Sequence, residues 1–187
     1  MGDAAFTALT TARLVLRRFR PEDLDAFVAY RSDPEVARYQ SWEVPYRPSQ
    51  ARQFLQELEA IHPDTPGEWF QFAISLRGAD GLIGDCGAHV QAEDPRQAEI
   101  GFTLAPQHQG SGYATEAVRR LLHYLLIERG KHRVRATCDD RNTRSAAALE
   151  RVGMRREGHL LESTWSKGEW TNDLLYGVLR REWPSGS

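Results

Sequence analysis

Hydrophobic and polar residues alternate along several short segments of this chain. In residues 12–20, Leu14, Leu16 and Phe19 alternate with arginines, which is the pattern of a strand with one buried face. Apolar runs at 69–76 and 82–90 flank a glycine-rich stretch that favours a hairpin turn. On this pattern the strands are placed at 12–20, 69–76, 82–90, 98–104, 133–138, about 154–165 and about 170–179.

Four other segments have the spacing of amphipathic helices. Prolines and capping residues mark where helices begin, and glycines mark where they end. These signals place helices from Pro21 to the break at Asp33-Pro34, from a cap at Ser49, from the glycines at 110 and 112 to Gly130, and from Asn142 or Thr143 to Arg151.

The order of these elements determines the expected fold class. The order β-α-α-β-β-β-α-β-α-β-β is not a regular alternation, which disfavours a doubly wound parallel sheet and favours an α+β sandwich, a mixed sheet flanked by helices. A chain of 187 residues, 41% hydrophobic and 27% charged, is typical of one globular domain, placed here at residues 9–183.

Charge, apolar run length and cysteine spacing limit the expected partners, location and metal binding. The net charge of −2 gives no broad basic field, so nucleic acid and anionic membranes are not expected partners. No apolar run approaches the ~18 residues of a membrane span, and residues 1–6 lack the features of a signal peptide, so a cytoplasmic location is predicted. Cys86 and Cys138 are far apart and lack metal-ligand spacing, so they are predicted to be reduced structural thiols, and no metal is expected.

The segment 107–116 carries the most specific chemical signal. It leaves a predicted strand and enters a predicted helix, where backbone N–H groups and the helix dipole can hold a diphosphate. Gly110 and Gly112 permit close approach of the backbone to a ligand. No GxxxxGK[ST] motif occurs, and Thr115 stands where a dinucleotide-binding GxGxxG motif needs its third glycine. On these residues alone, a strand-to-helix turn without a ligand remains an alternative.

Four motifs, in order, carry a resemblance to a known family. Residues 109–114 (QGSGYA) match the Q/R-x-x-G-x-G/A signature of GNAT acetyltransferases. Residues 98–104 resemble the fourth strand of that family, and residues 139–145 resemble its D-x-x-N-x-x-S segment. Residues 149–158 resemble a motif of its RimJ/RimL branch, the ribosomal-protein N-terminal acetyltransferases, with Met154 in the usual Phe position. The resemblance covers roughly residues 12–180.

The resemblance implies a GNAT fold with acetyl-CoA as cosubstrate. This fold has a mixed, mostly antiparallel sheet of about seven strands and about four helices. Its fourth and fifth strands, here 98–104 and 133–138, splay apart around the cofactor. The cofactor-binding residues that it implies are Phe102, Thr103, Leu104, Gln109, Gly110, Ser111, Gly112, Tyr113, Ala114, Thr115, Asn142 and Ser145. Asn142 has an alternative role as a helix N-cap.

The resemblance also implies catalytic candidates. Ser145 matches a serine that protonates the leaving thiolate in RimL-like members, although a first-turn serine also bonds to its own helix. Glu99 matches a fourth-strand glutamate that serves some members as general base. The glutamate proposed as base in RimL falls on Thr164, so Glu162, expected on the same strand face, is its substitute. Asp85 and His89 are weaker candidates.

The expected acceptor is a primary amine on a protein or peptide N-terminus or on a small molecule. Acceptor specificity in the family comes from the first two helices, their loop and the last hairpin. In this sequence these segments carry Tyr39, Trp42, Tyr46, Trp165 and Trp170, which suit either the wall of a cation site or the core. The alternatives are a succinyl- or other acyl-CoA transferase, or an acyl-CoA-binding module without catalysis. The chain is expected to be a monomer or a homodimer.

Overall fold

The computed structural model describes residues 6–184, and one eight-stranded sheet organises them. The sheet order is β1-β2-β3-β4-β5-β6-β8-β7, and only the β5–β6 pair is parallel. The strands are β1 (Ala8–Thr10), β2 (Leu14–Arg17), β3 (Trp69–Leu76), β4 (Leu82–Val90), β5 (Gln97–Leu104), β6 (Arg133–Asp139), β7 (Arg155–Ser166) and β8 (Glu169–Leu179). All seven predicted strands are present, and the eighth, β1, is too short for its sequence to show a period.

Five α-helices accompany the sheet: α1 (Leu24–Arg31), α2 (Pro34–Ala37), α3 (Pro48–Glu59), α4 (Tyr113–His123) and α5 (Thr143–Arg151). Asp33-Pro34 does end α1, but the Asp33 carboxylate accepts the Glu35 N–H at 2.8 Å and starts the single turn of α2. The predicted cap at Ser49 is wrong. Pro48 opens α3, and the side chain of Gln50 accepts the Arg47 N–H at 2.9 Å, so the cap lies two residues earlier.

The helices cover both faces of the sheet. Helices α4 and α5 pack on one face, over a core that includes Ile100, Leu121 and Val134. Helices α1 and α3 cover part of the other face, where Phe27 and Tyr30 pack near Ala73. We call this second side the α1 face. It also carries Glu99, because alternate residues of a strand point to opposite faces.

The sheet opens at its parallel pair. β5 and β6 pair from Gln97–Arg133 to Ile100–Ala136, and no further. Beyond this point, residues 101–104 pair only with β4, and residues 137–139 pair only with β8. We call this opening the β5–β6 gap. It confirms the predicted splay of the two strands.

No helix among residues 6–184 is long and apolar enough to cross a membrane. Residues 1–5, on which the expectation of a missing signal peptide partly rests, lie outside the described residues. The cytoplasmic location and the oligomeric state stay predictions.

Candidate active site

The glycine turn leads from β5 into α4 with two residues in the left-handed region. Gly110 has φ 77° and Gly112 has φ 79°, a conformation that residues with a side chain rarely adopt. Gly112 is the N-cap of α4, and no side chain caps this end of the helix. The N–H groups of the first turn therefore have neither an intrahelical nor a side-chain partner, which is the geometry of an anion site.

Two arginines from distant parts of the chain lie beside this turn. The guanidinium of Arg13 donates to the Ser111 carbonyl at 3.0 Å and lies over the Tyr113 ring at 4.6 Å. Arg144 donates to the side chain of Gln109 at 3.0 Å. Two arginine side chains thus lie beside a turn whose own sequence has no lysine or arginine. Sequence reasoning missed both arginines, because no local signal links Arg13 to a turn about a hundred positions later.

Glu116 anchors Arg13 to α4. Its carboxylate accepts from the Arg13 side chain at 2.6 Å, from the Arg13 backbone N–H at 2.9 Å and from the hydroxyl of Thr11. Partial burial raises the pKa of Glu116, but the hydrogen bonds from Thr11 and Arg13 outweigh it and hold the pKa below its usual value. These hydrogen bonds connect the residues just before β2 to α4, the helix that follows the turn.

The turn and the β5–β6 gap form one continuous surface. The amide of Gln109 donates to the Leu104 carbonyl at 3.0 Å, which joins the end of β5 to the turn. Phe102, Thr103 and Leu104 border the gap along one main-chain edge. An extended ligand lying in the gap therefore meets unpaired backbone first and the anion-binding turn next.

Helix α5 begins beside this surface. The side-chain amide oxygen of Asn142 accepts the Ser145 N–H at 3.2 Å, so Asn142 is an N-cap, as the alternative prediction held. Its amide nitrogen takes no part in the cap. The Ser145 hydroxyl is half-buried and has no hydrogen-bond partner within residues 6–184. The Ser145 hydroxyl is therefore not committed to the cap of its own helix.

Glu99 lies on the α1 face of β5, two residues before Gly101, which is the first residue of β5 that does not pair with β6. Its carboxylate meets Arg135 at 3.0 and 2.9 Å, and Arg135 also donates to the Gln91 side chain at 3.3 Å. The Gln91 amide in turn lies 3.1 Å from His89 Nδ1, and the His89 ring stacks on Trp69. Glu99 thus belongs to a hydrogen-bonded network that fixes its orientation. Sequence reasoning named Glu99 as a candidate but missed its ion-pair partner, Arg135.

The expectation for Glu162 is wrong in one respect. The β7–β8 register shifts between Leu160 and Thr164, and Glu162 has φ 47° within this bulge. Side chains do not keep a period of two across a bulge. The alternation rule therefore does not place Glu162 on the same strand face as Thr164. Glu162 is exposed, and its N–H donates to the Asn172 side chain at 2.8 Å.

Asp85 is sealed in the interior. It is 3% exposed and accepts a short hydrogen bond from the Tyr30 hydroxyl. Desolvation raises the pKa of Asp85 and, together with Asp85 itself, raises the pKa of Tyr30. Neighbouring Arg31 packs its guanidinium against the Trp42 ring at 4.0 Å and the Phe27 ring at 4.2 Å. This cluster joins α1 to the sheet and leaves Asp85 without access for a substrate.

Neither cysteine has the environment of a nucleophile. Cys86 is fully buried, and burial raises the pKa of its thiol. Burial and the nearby Asp139 raise the pKa of the Cys138 thiol to about 11. Within residues 6–184, no group of three or more His, Cys, Asp or Glu side chains is arranged to hold a metal ion.

The aromatic residues that the sequence suggests for binding the acceptor differ in their burial. Tyr46 is buried and Trp42 half-buried against Arg31, so they belong to the core. Trp165 and Trp170 are 60% and 56% exposed and pack edge to face at the tip of the last hairpin. Tyr39 donates to the Arg141 carbonyl at 3.4 Å, in the connection from β6 to α5. Tyr39 is half-buried and lies outside the Arg31 cluster.

Comparison with known proteins identifies the family. Residues 13–155 match the domain described as "Acetyltransferase (GNAT) domain". The chain is 33% identical over 175 residues to "Uncharacterized N-acetyltransferase p20" of Bacillus licheniformis, covering 94% of this chain and 97% of that one. It is 25% identical to "[Ribosomal protein uS5]-alanine N-acetyltransferase" of Escherichia coli, over 95% and 93% of the two chains.

Solved structures agree. A GNAT acetyltransferase from Bacillus anthracis superposes with a TM-score of 0.84 at 30% identity, over 94% of this chain and all of that chain. A spermidine N-acetyltransferase from Vibrio cholerae, in complex with CoA and spermine, has the same fold, with a TM-score of 0.78 at 22% identity over 92% and 98% of the chains. The chain therefore belongs to the GNAT acetyltransferase family.

The Glu116 contacts predict a pH-dependent contribution to stability. Glu116→Gln should lower the free energy of unfolding by about 1 kcal/mol near pH 7, because the charge-assisted hydrogen bonds to Arg13 and Thr11 weaken. The folded-state pKa of Glu116 is lowered, so its contribution is complete above the pKa of the unfolded chain and disappears as the pH falls through the folded-state value. Urea unfolding from pH 7 to pH 3 should show the two proteins converging in acid. A constant difference across that range would contradict this assignment.

Proposed function

We propose that this protein transfers the acetyl group of acetyl-CoA to a primary amine by direct attack in a ternary complex. The observation that carries the proposal is the continuity of the β5–β6 gap with the glycine turn. The gap offers unpaired backbone to an extended arm, and the turn offers N–H groups to a diphosphate. Coenzyme A is a molecule with these two parts in this order, and the solved relative that holds CoA supports the same reading.

In this complex the pantetheine arm pairs with residues 102–104 as an added strand, and residues 109–115 hold the diphosphate. Arg13 and Arg144 add positive charge beside the diphosphate without replacing the backbone contacts. Asn142 has its amide nitrogen free for the pantetheine while its oxygen caps α5. A backbone N–H near Leu104 polarises the thioester carbonyl.

The chemistry then needs a base for the amine and an acid for the thiolate. Glu99, oriented by Arg135, takes the proton of the acceptor ammonium directly or through one water. Glu99 lies on the α1 face, near the start of the gap. In this proposal the acceptor approaches the thioester from that face. Ser145, at the first turn of α5, gives a proton to the departing CoA thiolate. Glu162, on the exposed bulge of the hairpin, is the alternative base.

The first prediction concerns cofactor binding. Acetyl-CoA at about a hundred times its Kd should stabilise the fold by roughly 2.7 kcal/mol, seen as a rise in Tm. Gly112→Val should remove most of this rise, because a branched side chain at φ 79° both strains the turn and blocks the diphosphate.

Gly130→Val is the matched control, since Gly130 has φ 66° and lies at the far end of the helical segment that the glycine turn begins. Both variants should lose intrinsic stability, but the control should keep the ligand-induced rise. An equal ligand response in the two variants would place the cofactor elsewhere.

The second prediction tests the activity and the acid together. With acetyl-CoA, thiol release should depend on an added amine from a panel of trialanine, spermidine and kanamycin. Ser145→Ala should slow this release by about 10²–10⁴-fold while leaving the acetyl-CoA-induced rise in Tm unchanged. Succinyl-CoA, tested in the same assay, shows whether the protein uses a different acyl donor.

Tight CoA binding with no thiol release for any amine would instead identify an acyl-CoA-binding module. If Ser145→Ala weakens binding as much as turnover, Ser145 only positions the cofactor.

The third prediction assigns the base. Glu99→Gln keeps the size of the side chain, and Arg135 retains Gln91 as a partner, so folding and acetyl-CoA binding should be normal. Turnover at pH 7 should fall by about 10²-fold or more, and the defect should shrink as the pH rises and more acceptor is already neutral. Glu162→Gln is measured in parallel and should have a smaller effect. A fully active Glu99→Gln enzyme beside a crippled Glu162→Gln enzyme would move the base to the hairpin.

A further inference from the structure

Gln71 carries a buried oxygen that no protein group satisfies. It lies on β3, on the α1 face, where residues 69, 71 and 73 alternate with the core positions 70 and 72. The Gln71 side-chain oxygen is buried and accepts no hydrogen bond within residues 6–184. Buried polar atoms in folded proteins are nearly always partnered, so an orphaned acceptor of this kind calls for a donor from outside the chain.

Two glycines beside Gln71 leave a path from its amide to the β5–β6 gap. Gly87 is the cross-strand partner of Gln71, and Gly101 is the cross-strand partner of Gly87. The Gln71 amide lies over Gly87, where a Cβ would be only 2.5 Å from the amide oxygen. A Cβ on Gly101 would meet no atom within 4 Å, so the space above that residue is open. Gly101 is also the first residue of β5 beyond the pairing with β6.

The neighbouring acceptor groups on this face are already engaged. The carboxylate of Asp85 holds the Tyr30 hydroxyl, and the carboxylate of Glu99 holds Arg135. His89 shares its Nδ1 with Gln91. Gln71 therefore differs from each of them in having a buried oxygen that is still available.

We propose that Gln71 is an acceptor-binding residue. Its side-chain oxygen, held over Gly87, accepts a hydrogen bond from an N–H group of an amine substrate that lies over Gly101, with the reacting nitrogen toward the gap and Glu99. This inference rests on the proposed acetyltransferase activity and adds a contact on the acceptor side. The chemistry selects acceptors that present an N–H donor to this oxygen, and the two glycines keep the path to the gap open.

Substitutions at Gln71 test the contact. Gln71→Met keeps the length of the side chain and removes the oxygen, so kcat/KM for whichever of trialanine, spermidine or kanamycin the parent acetylates should fall about 10- to 100-fold, mostly through KM. Gln71→Glu keeps an acceptor oxygen at the same reach and should retain more activity than Gln71→Met. Gly87→Ala, at an ordinary φ, should displace the flexible Gln71 amide and reproduce the loss.

The matched control is Gln97→Met. Gln97 also lies on the α1 face, on β5, but its amide donates to Asp94 at 3.1 Å. This variant should keep the kcat/KM of the parent. The acetyl-CoA-induced rise in Tm should be the same in all four variants, because none touches the cofactor surface. The intrinsic Tm of Gln71→Met should not fall, since no protein hydrogen bond is lost.

The outcomes separate this inference from the activity on which it rests. No thiol release by the parent with any of the three amines would overturn the proposed function and this inference together. An active parent with an equally active Gln71→Met variant would overturn this inference alone. A marked fall in the Tm of Gln71→Met would also overturn it, because the amide would then have a structural partner.

Discussion

The loss of pairing between β5 and β6 after Ile100 and Ala136 is the constraint on which the rest of this structure depends. Two parallel strands that separate within a sheet leave backbone N–H and C=O groups without partners, and such groups are costly unless a ligand or water binds them. Each strand is held on its other side, β5 by β4 and β6 by β8, so the gap does not collapse. The fold thereby keeps a binding edge in the middle of its sheet.

The glycine turn beside the gap depends on backbone more than on side chains. Gly110 and Gly112 adopt positive φ values that direct the chain into α4 without a side-chain cap. Side-chain hydrogen bonds stabilise this geometry: Glu116 binds Arg13, Arg13 donates to Ser111, and Gln109 donates to Leu104. A site built on N–H groups at fixed positions needs this support, because it has no flexible side chain with which to adjust to the ligand.

The α1 face has a different character. Its polar groups form pairs, Tyr30 with Asp85 and Glu99 with Arg135, and the pairs differ in access. The first is sealed beneath α1 and holds that helix on the sheet, whereas the second lies at the edge of the gap. The α1 face thus carries a buried carboxyl group, Asp85, and a partly exposed carboxylate, Glu99, on neighbouring central strands.

The sequence by itself determined the features that depend on residues close together in the chain. The bounds of β3 and β4, the end of α5 before Gly153 and the Asn142 cap follow from periodicity, backbone conformation and short-range hydrogen bonds. Four ordered motifs also indicated the GNAT family, which the comparisons show. Even at short range, competition between signals misplaced one cap, because Pro48 and Gln50 outweighed Ser49.

Only the tertiary structure decided which distant groups meet. Arg13 beside Ser111, Arg135 beside Glu99 and the Gln71 amide over Gly87 all join different elements, and no local period encodes them. The bulge at Glu162 likewise depends on the register with β8, which a single strand does not specify. The physical reason is the same in each case. Local signals fix the conformation of a segment, whereas partners, burial and charge environment are fixed when segments far apart in sequence pack together.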